Sequence, residues 1–220
     1  MIRKIAVPLL ISATLVSAPA HAQLSKLSNL VGGKSDTAAP AATAPDEAAQ
    51  DALVRQFVAA QSPALNAQGY FAKAFGLAEQ AQLIEAEKKA ISGGQVDTGQ
   101  LKKTVEASEA VQRMIDEKVA SGQPLSAESK QHYAAGLIAL VEAAVQARKL
   151  GESATAFTTG LKSLNPMQAA SAATKLKAGA WVAKSSPSYI KSLYSSTKSA
   201  LTYAKANNIQ VPKNADALDF

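Results

Sequence analysis

The sequence predicts an all-α fold, an antiparallel bundle of about five to seven amphipathic, alanine-rich helices. Alanine, the strongest helix former, supplies 47 of the 220 residues, whereas the chain holds only 12 Gly and 9 Pro. Apolar residues recur at helical spacing, and no stretch alternates with a period of two for long enough to predict a strand. No internal repeat of about 20 to 50 residues indicates a solenoid.

The first 22 residues have the features of an export signal. Arg3 and Lys4 precede an apolar run over 5–16, and an Ala-His-Ala tripeptide that ends at Ala22 supplies the small residues that a signal peptidase reads. A membrane anchor fits less well, because the run is shorter than the ~20 apolar residues that a bilayer requires. We therefore predict a signal peptide over 1–22, cleavage after Ala22, a periplasmic location and no transmembrane segment in the mature chain.

Composition divides the remaining chain into a linker, a helical domain and a tail. Residues 23–45 begin with a short apolar piece and continue as Ala, Pro, Thr and Ser, which predicts a flexible N-terminal linker. Residues 46–208 are predicted to form a single helical domain, and residues 209–220 an irregular tail.

Proline, glycine and capping residues predict where the helices begin and end. Pro63 is expected to interrupt the first helix, Gly151 to stop a long one, and Pro187 to divide the last part in two. The predicted helix starts are, in chain order, Asp46, Pro63, Asp97, Ser126, Ser153, Asn165 with Pro166, and Ser186 with Pro187.

Residue types that carry much of enzyme chemistry are scarce. With no cysteine, the chain has no disulfide, no Cys-ligated zinc, no iron–sulfur cluster and no thiol nucleophile. After residue 22 the chain has one histidine, His132. Glu128 lies one helical turn earlier, so the two side chains could supply two ligands of a metal site. The helix dipole already explains a carboxylate in the first turn of a helix. Glu85 is in register with an apolar stripe, which would make it a buried acid or base. We interpret it instead as the exposed ion-pair partner of Lys89, four residues later. We predict no metal site and no cofactor.

Positive charge is concentrated in the last third of the chain. Residues 23–152 carry 13 basic and 15 acidic side chains, whereas residues 153–220 carry eight lysines and two aspartates. The formal charge is therefore −2 for the first part and +6 for the second. No acidic residue lies between Glu152 and Asp216, which defines a basic subregion over 153–215.

Five lysines recur every seven residues within this basic subregion. On a helix each such step drifts by only about 20°, so the side chains form one near-continuous stripe beside an apolar face. Two aromatic residues accompany them. The candidate binding residues are Lys177, Lys184, Lys191, Lys198, Lys205, Trp181 and Tyr194.

Three interpretations of this stripe stay open. The lysines fit the solvated edge of a core-packing helix, with their methylene stems along the buried side. They also fit a surface for an anionic lipid or an anionic envelope polymer, since interfacial helices combine lysine edges with an apolar face. An acidic protein partner would meet the same charges. Nucleic acid is disfavoured, because Arg148 is the last arginine and the chain is expected to be exported.

The preferred hypothesis is a non-enzymatic, exported binding or adaptor protein of the bacterial envelope that uses this lysine surface. The alternative is a periplasmic carrier of a small apolar ligand inside the bundle. Its ligand would lie between the helix of Phe71 and Phe75 and the helix of Leu137 and Val141, where small alanines face aromatic rings. A carboxylate-based enzyme is the least favoured function.

Overall fold

The computed structural model describes residues 44–93 and 96–218. The predicted signal peptide over 1–22 and nearly all of the predicted linker lie outside the described residues. The six helices are α1 (Glu47–Ala74), α2 (Ala78–Ser92), α3 (Thr98–Ala120), α4 (Ala127–Lys162), α5 (Pro166–Lys175) and α6 (Lys177–Ala206). A 3₁₀ turn over Lys213–Ala217 follows them, so part of the predicted irregular tail is helical. No strand occurs among the described residues, and the predicted all-α bundle is confirmed.

Helix α4 packs against α1 and α6 and runs antiparallel to both. Near its start the Tyr133 hydroxyl donates to the carbonyl of Ala200, late in α6, at 3.1 Å. Further along, the Ser153 hydroxyl donates to Oε1 of Gln56, early in α1, at 2.7 Å. Helices α1 and α6 are therefore parallel to each other, and their apolar faces meet that of α4.

The two prolines that were expected to break helices lie inside them. Pro63 is within α1 and Pro187 is within α6. A proline in a helix removes one hydrogen bond and displaces the carbonyls of the preceding turn. The carbonyl that loses its helical donor is that of Ala59, and the adjacent carbonyl of Ala60 accepts a hydrogen bond from the hydroxyl of Tyr189, on the neighbouring helix, at 3.2 Å. Tertiary packing therefore outweighs the local cost, and the predicted break at Pro63 is wrong.

Gly151 does not have the role that was expected of it, and another glycine, Gly76, lies at a helix end. Gly151 does not stop a helix: it lies inside α4, where a Cβ atom would be 3.3 Å from Cδ1 of Ile190, so the absent side chain lets α6 come close. Helix α1 ends just before Gly76, whose φ of 70° is left-handed. There the amide of Leu77 donates to the carbonyl of Ala72 at 2.7 Å, a Schellman-type ending that favours glycine.

Helix α5 packs loosely at the turn between α4 and α6. The predicted start at Asn165 and Pro166 is confirmed: Asn165 and Gln168 form a reciprocal capping box, and proline occupies the first turn. None of the ten residues of α5 is buried, and Met167 is 85% exposed. The helix is therefore held mainly by its caps and by its connections.

The core is richest in aromatic side chains at the end of the bundle where α4 begins. Tyr133 lies at the centre, with ring centroids 4.7 Å from Phe71, 5.8 Å from Phe75 and 5.0 Å from Tyr203. These rings fill the space between α1, α4 and α6. Gly136 makes this possible, because the ring of Phe71 lies where its Cβ atom would be.

We expect the protein to lose stability at alkaline pH. Burial raises the pKa values of Tyr133, Tyr189 and Tyr203 above the ordinary 10.0. Between that value and the raised ones, the unfolded chain releases protons that the folded chain retains, so the free energy of unfolding falls as pH rises. Urea unfolding followed between about pH 8 and pH 11 tests this. A constant unfolding free energy across that range would contradict it.

Candidate functional site

All five lysines of the predicted stripe lie on the single helix α6, because Pro187 does not divide it. Each of them is exposed. A step of seven residues advances about 10.5 Å along a helix, so the first and last lysine are about 42 Å apart along the axis. We call this set the lysine row: Lys177, Lys184, Lys191, Lys198 and Lys205.

Along the chain, the lysine row is not accompanied by any carboxylate between Glu152 and Asp216. Within the described residues the ion pairs are Lys88 with Glu85 at 3.1 Å and Lys103 with Glu87 at 3.9 Å, and both belong to α2 and α3. No lysine of the row forms one there. Since the sequence has no acidic residue over 153–215, the row presents positive charge along one side of the bundle.

The apolar face of α6 is used in the core. Leu193, Leu201 and Ala204 are buried, on the side of the helix that packs against α1 and α4. The aromatic candidates are also directed inward. Trp181 packs edge-on against Phe57, with ring centroids 5.7 Å apart, and the hydroxyl of Tyr194 donates to the backbone of α4. The structure therefore brings the five lysines together and leaves both aromatic side chains half-buried behind them.

A polar cleft of about 220 Å³ lies between α1, α3 and α6. Its main feature is a chain of side-chain hydrogen bonds. Gln68 donates to Gln112 at 3.0 Å and accepts from the Ser108 hydroxyl at 3.0 Å, and Gln112 donates to Asp116 at 2.8 Å. Burial raises the pKa of Asp116, and the hydrogen bond from Gln112 opposes that shift. These groups satisfy one another, which favours a structural role for the cleft.

Gln61, on the same helix as Gln68, is 1% exposed, and neither its amide nitrogen nor its oxygen has a partner in the structure. We expect Gln61→Met to raise the free energy of unfolding by about 1–2 kcal/mol, because a buried amide without partners is costly. The matched variant Gln68→Met removes bonds to Ser108 and Gln112, and we expect it to lower stability by about 1–3 kcal/mol. Urea unfolding measures both, and equal effects of the two changes would refute the distinction.

Among the side chains that the structure describes, one carboxylate is buried, that of Glu87, which was not predicted from the sequence as a site residue. It is 4% exposed and accepts hydrogen bonds from Thr104 at 2.7 Å and Gln100 at 3.2 Å, both on α3. Glu85 is exposed as expected, although its partner is Lys88 rather than Lys89. Glu87 shares a helix face with Ile84 and Ile91, which are also buried, and this register is the signal that was available. Its bonds attach α2 to α3.

Two other places that the sequence analysis considered are the pair His132 and Glu128 and the position of an apolar ligand in the alternative hypothesis. His132 is half-buried and Glu128 is exposed, and no group of three possible metal ligands occurs among the described residues. At the expected position of an apolar ligand, the rings of Phe71 and Phe75 pack against Tyr133. That part of the bundle is closed by side chains.

Among residues 44–93 and 96–218, no helix combines the length and the apolar character that a membrane span requires. Comparisons with protein-family models, with curated proteins and with solved structures found no match to this chain.

Proposed function

We propose that this chain is a non-enzymatic binding protein of the bacterial envelope whose lysine row engages an anionic lipid surface. The observation that carries the proposal is the row itself: five exposed lysines on one continuous helix, with no carboxylate partner among the described residues. The export signal predicted from the sequence supports the location.

Simple electrostatics gives the strength of such an attachment. A lysine near an anionic lipid surface contributes about 1 kcal/mol, so five add up to about 5 kcal/mol at low salt. This energy falls when the ionic strength shortens the Debye length from ~10 Å at 0.1 M to a few ångströms. Reversible, salt-dependent binding is the expected behaviour.

The buried side of α6 determines the mode of binding. An interfacial helix inserts its apolar face among the acyl chains, but Leu193 and Leu201 already contact the core. Insertion of α6 would therefore open the bundle. The lysine row instead supports contact at the level of the lipid headgroups, with the fold intact.

Vesicle flotation of the chain from Gln23 to Phe220 tests the proposal. Vesicles of neutral phosphatidylcholine are compared with vesicles that also contain anionic phosphatidylglycerol, at about 0.05 M and about 0.5 M salt. We expect flotation with the anionic vesicles only, and much more of it at low salt than at high salt. Absence of binding to anionic vesicles at low salt would overturn the proposal and leave an acidic protein or an envelope polymer as the partner of the row.

A double substitution within the row has a large expected effect on this binding. Lys191→Gln with Lys198→Gln removes about 2 kcal/mol of attraction, so we expect affinity for anionic vesicles to fall about thirtyfold. The control, Lys89→Gln with Lys102→Gln, makes the same change in net charge at exposed positions of α2 and α3. Equal losses in the two variants would show that overall charge, not the row, attracts the vesicles.

A further inference from the structure

A mostly apolar groove of about 730 Å³ runs between α4 and α6. Its size is within the range of small-ligand sites. The side chains that make its apolar walls come from both helices: Ala154, Leu161, Ala180, Ala183 and Ile190. The groove opens beside the lysine row, since Lys184 belongs both to the row and to the lining of the groove.

The groove exists because the two helices carry small residues where they face each other. Gly151 lets α6 approach, and Ala154 and Ala183 leave the adjoining space unfilled. The threonines in the wall are also compatible with an apolar occupant. The hydroxyls of Thr155 and Thr158 donate to backbone carbonyls of α4, each at 2.8 Å, so contact with a hydrocarbon chain costs them no hydrogen bond.

Two cations stand at the rim of this apolar groove. Lys162, at the end of α4, and Lys184 are both exposed, and neither pairs with a carboxylate in the part of the chain that the structure describes. Apolar walls lined also by two ammonium groups complement a ligand that joins a hydrocarbon chain to an anionic head.

We infer that the groove holds one acyl chain of an anionic lipid, with the headgroup between Lys162 and Lys184. The inference rests on the proposed function, because the lipid surface bound by the lysine row supplies this lipid. The groove adds what the row lacks, an apolar contact that does not require α6 to leave the core. Binding then has two parts, a salt-sensitive one from the row and a salt-resistant one from the groove.

Monomeric dodecyl phosphate, kept below its micelle concentration, is the probe for the groove. We expect NMR titration of the folded protein to shift the methyl signals of Ala154, Ala180 and Ala183. Affinity should rise about fourfold for each methylene added from octyl to dodecyl phosphate, because each one is buried. Dodecyltrimethylammonium should bind more weakly. Shifts confined to other regions, or affinity independent of chain length, would overturn the inference.

Ala180→Leu fills the groove from a half-buried position and should lower dodecyl phosphate affinity about tenfold. Lys162→Gln, which leaves the lysine row unchanged, should lower it about fivefold. Ser199→Leu adds the same side chain at an exposed position of α6 outside the groove lining and should have no effect. Unchanged affinity in Ala180→Leu, with circular dichroism showing an intact fold, would overturn the inference.

Flotation separates the two proposals. If the groove holds an acyl chain, Ala180→Leu loses the part of vesicle binding that survives high salt and keeps the salt-sensitive part. If Ala180→Leu floats as the parent protein does at both salt concentrations, the groove inference is wrong and the proposed function stands. If the parent protein does not float with anionic vesicles while dodecyl phosphate still shifts the groove alanines, the proposed function fails and the groove remains.

Discussion

Tyr133→Ala is expected to lower the free energy of unfolding by about 3–5 kcal/mol, a large part of the stability of a domain of this size. The side chain is fully buried, and its ring contacts those of Phe71, Phe75 and Tyr203. Truncation removes these contacts and leaves a cavity where α1, α4 and α6 meet. Urea unfolding monitored by circular dichroism measures the loss.

Tyr133→Phe is the control for this prediction. It keeps the ring but removes the hydroxyl that donates to the carbonyl of Ala200 at 3.1 Å, so we expect a loss of about 1–2 kcal/mol. A loss in Tyr133→Phe as large as that in Tyr133→Ala would show that the hydrogen bond, not the ring, stabilises this region.

Gly136→Ala is expected to destabilise the protein by about 2–3 kcal/mol, although alanine is the better helix former. The new Cβ atom would lie 2.6 Å from Cε1 of Phe71, whose ring is fixed against Tyr133 and has little room to move. Either the ring or the whole of α4 must shift, and both changes disturb the aromatic core.

The matched variant is Gly69→Ala, which is expected to raise the free energy of unfolding. Its Cβ atom would be 3.7 Å from Cγ2 of Ile84, an ordinary contact, so the gain in helix propensity of about 0.5–1 kcal/mol should appear as added stability. Thermal unfolding of the two variants under one condition measures the difference. A stabilising effect of Gly136→Ala would mean that Phe71 does not occupy the position described.

The helices were predictable because their signals are local. Asp97, Ser126 and Asn165 were expected at helix starts, and each accepts a hydrogen bond from an amide of the first turn. The wrong breaks at Pro63 and Pro187 have the opposite origin. Whether a proline ends a helix depends on the contacts that neighbouring helices make with the disturbed turn, such as the hydrogen bond from the Tyr189 hydroxyl to the carbonyl of Ala60. The spacing of residues along the chain carries no information about such tertiary contacts.

The same contrast applies to the candidate site. Exposure of the lysine row followed from the seven-residue repeat, since a helix buries one face and leaves the opposite face to solvent. The inward position of Trp181 and Tyr194 did not follow, because it depends on partners in α1 and α4. The groove could not be predicted from the sequence either, because it forms where Gly151 of α4 and Ile190 of α6, two distant segments of the chain, meet.

The parallel arrangement of α1 and α6 has a consequence for how the protein folds. The bonds from Tyr189 to Ala60 and from the amide of Gly179 to Gln50 each connect residues 129 positions apart. Such distant contacts form late and slowly, because a long loop must close before they contribute any stability. The first five helices cannot complete the core without the sixth. The lysine row therefore forms in the same step that completes the bundle. A chain whose sixth helix has not yet packed contains the five lysines but does not present them as one ordered row.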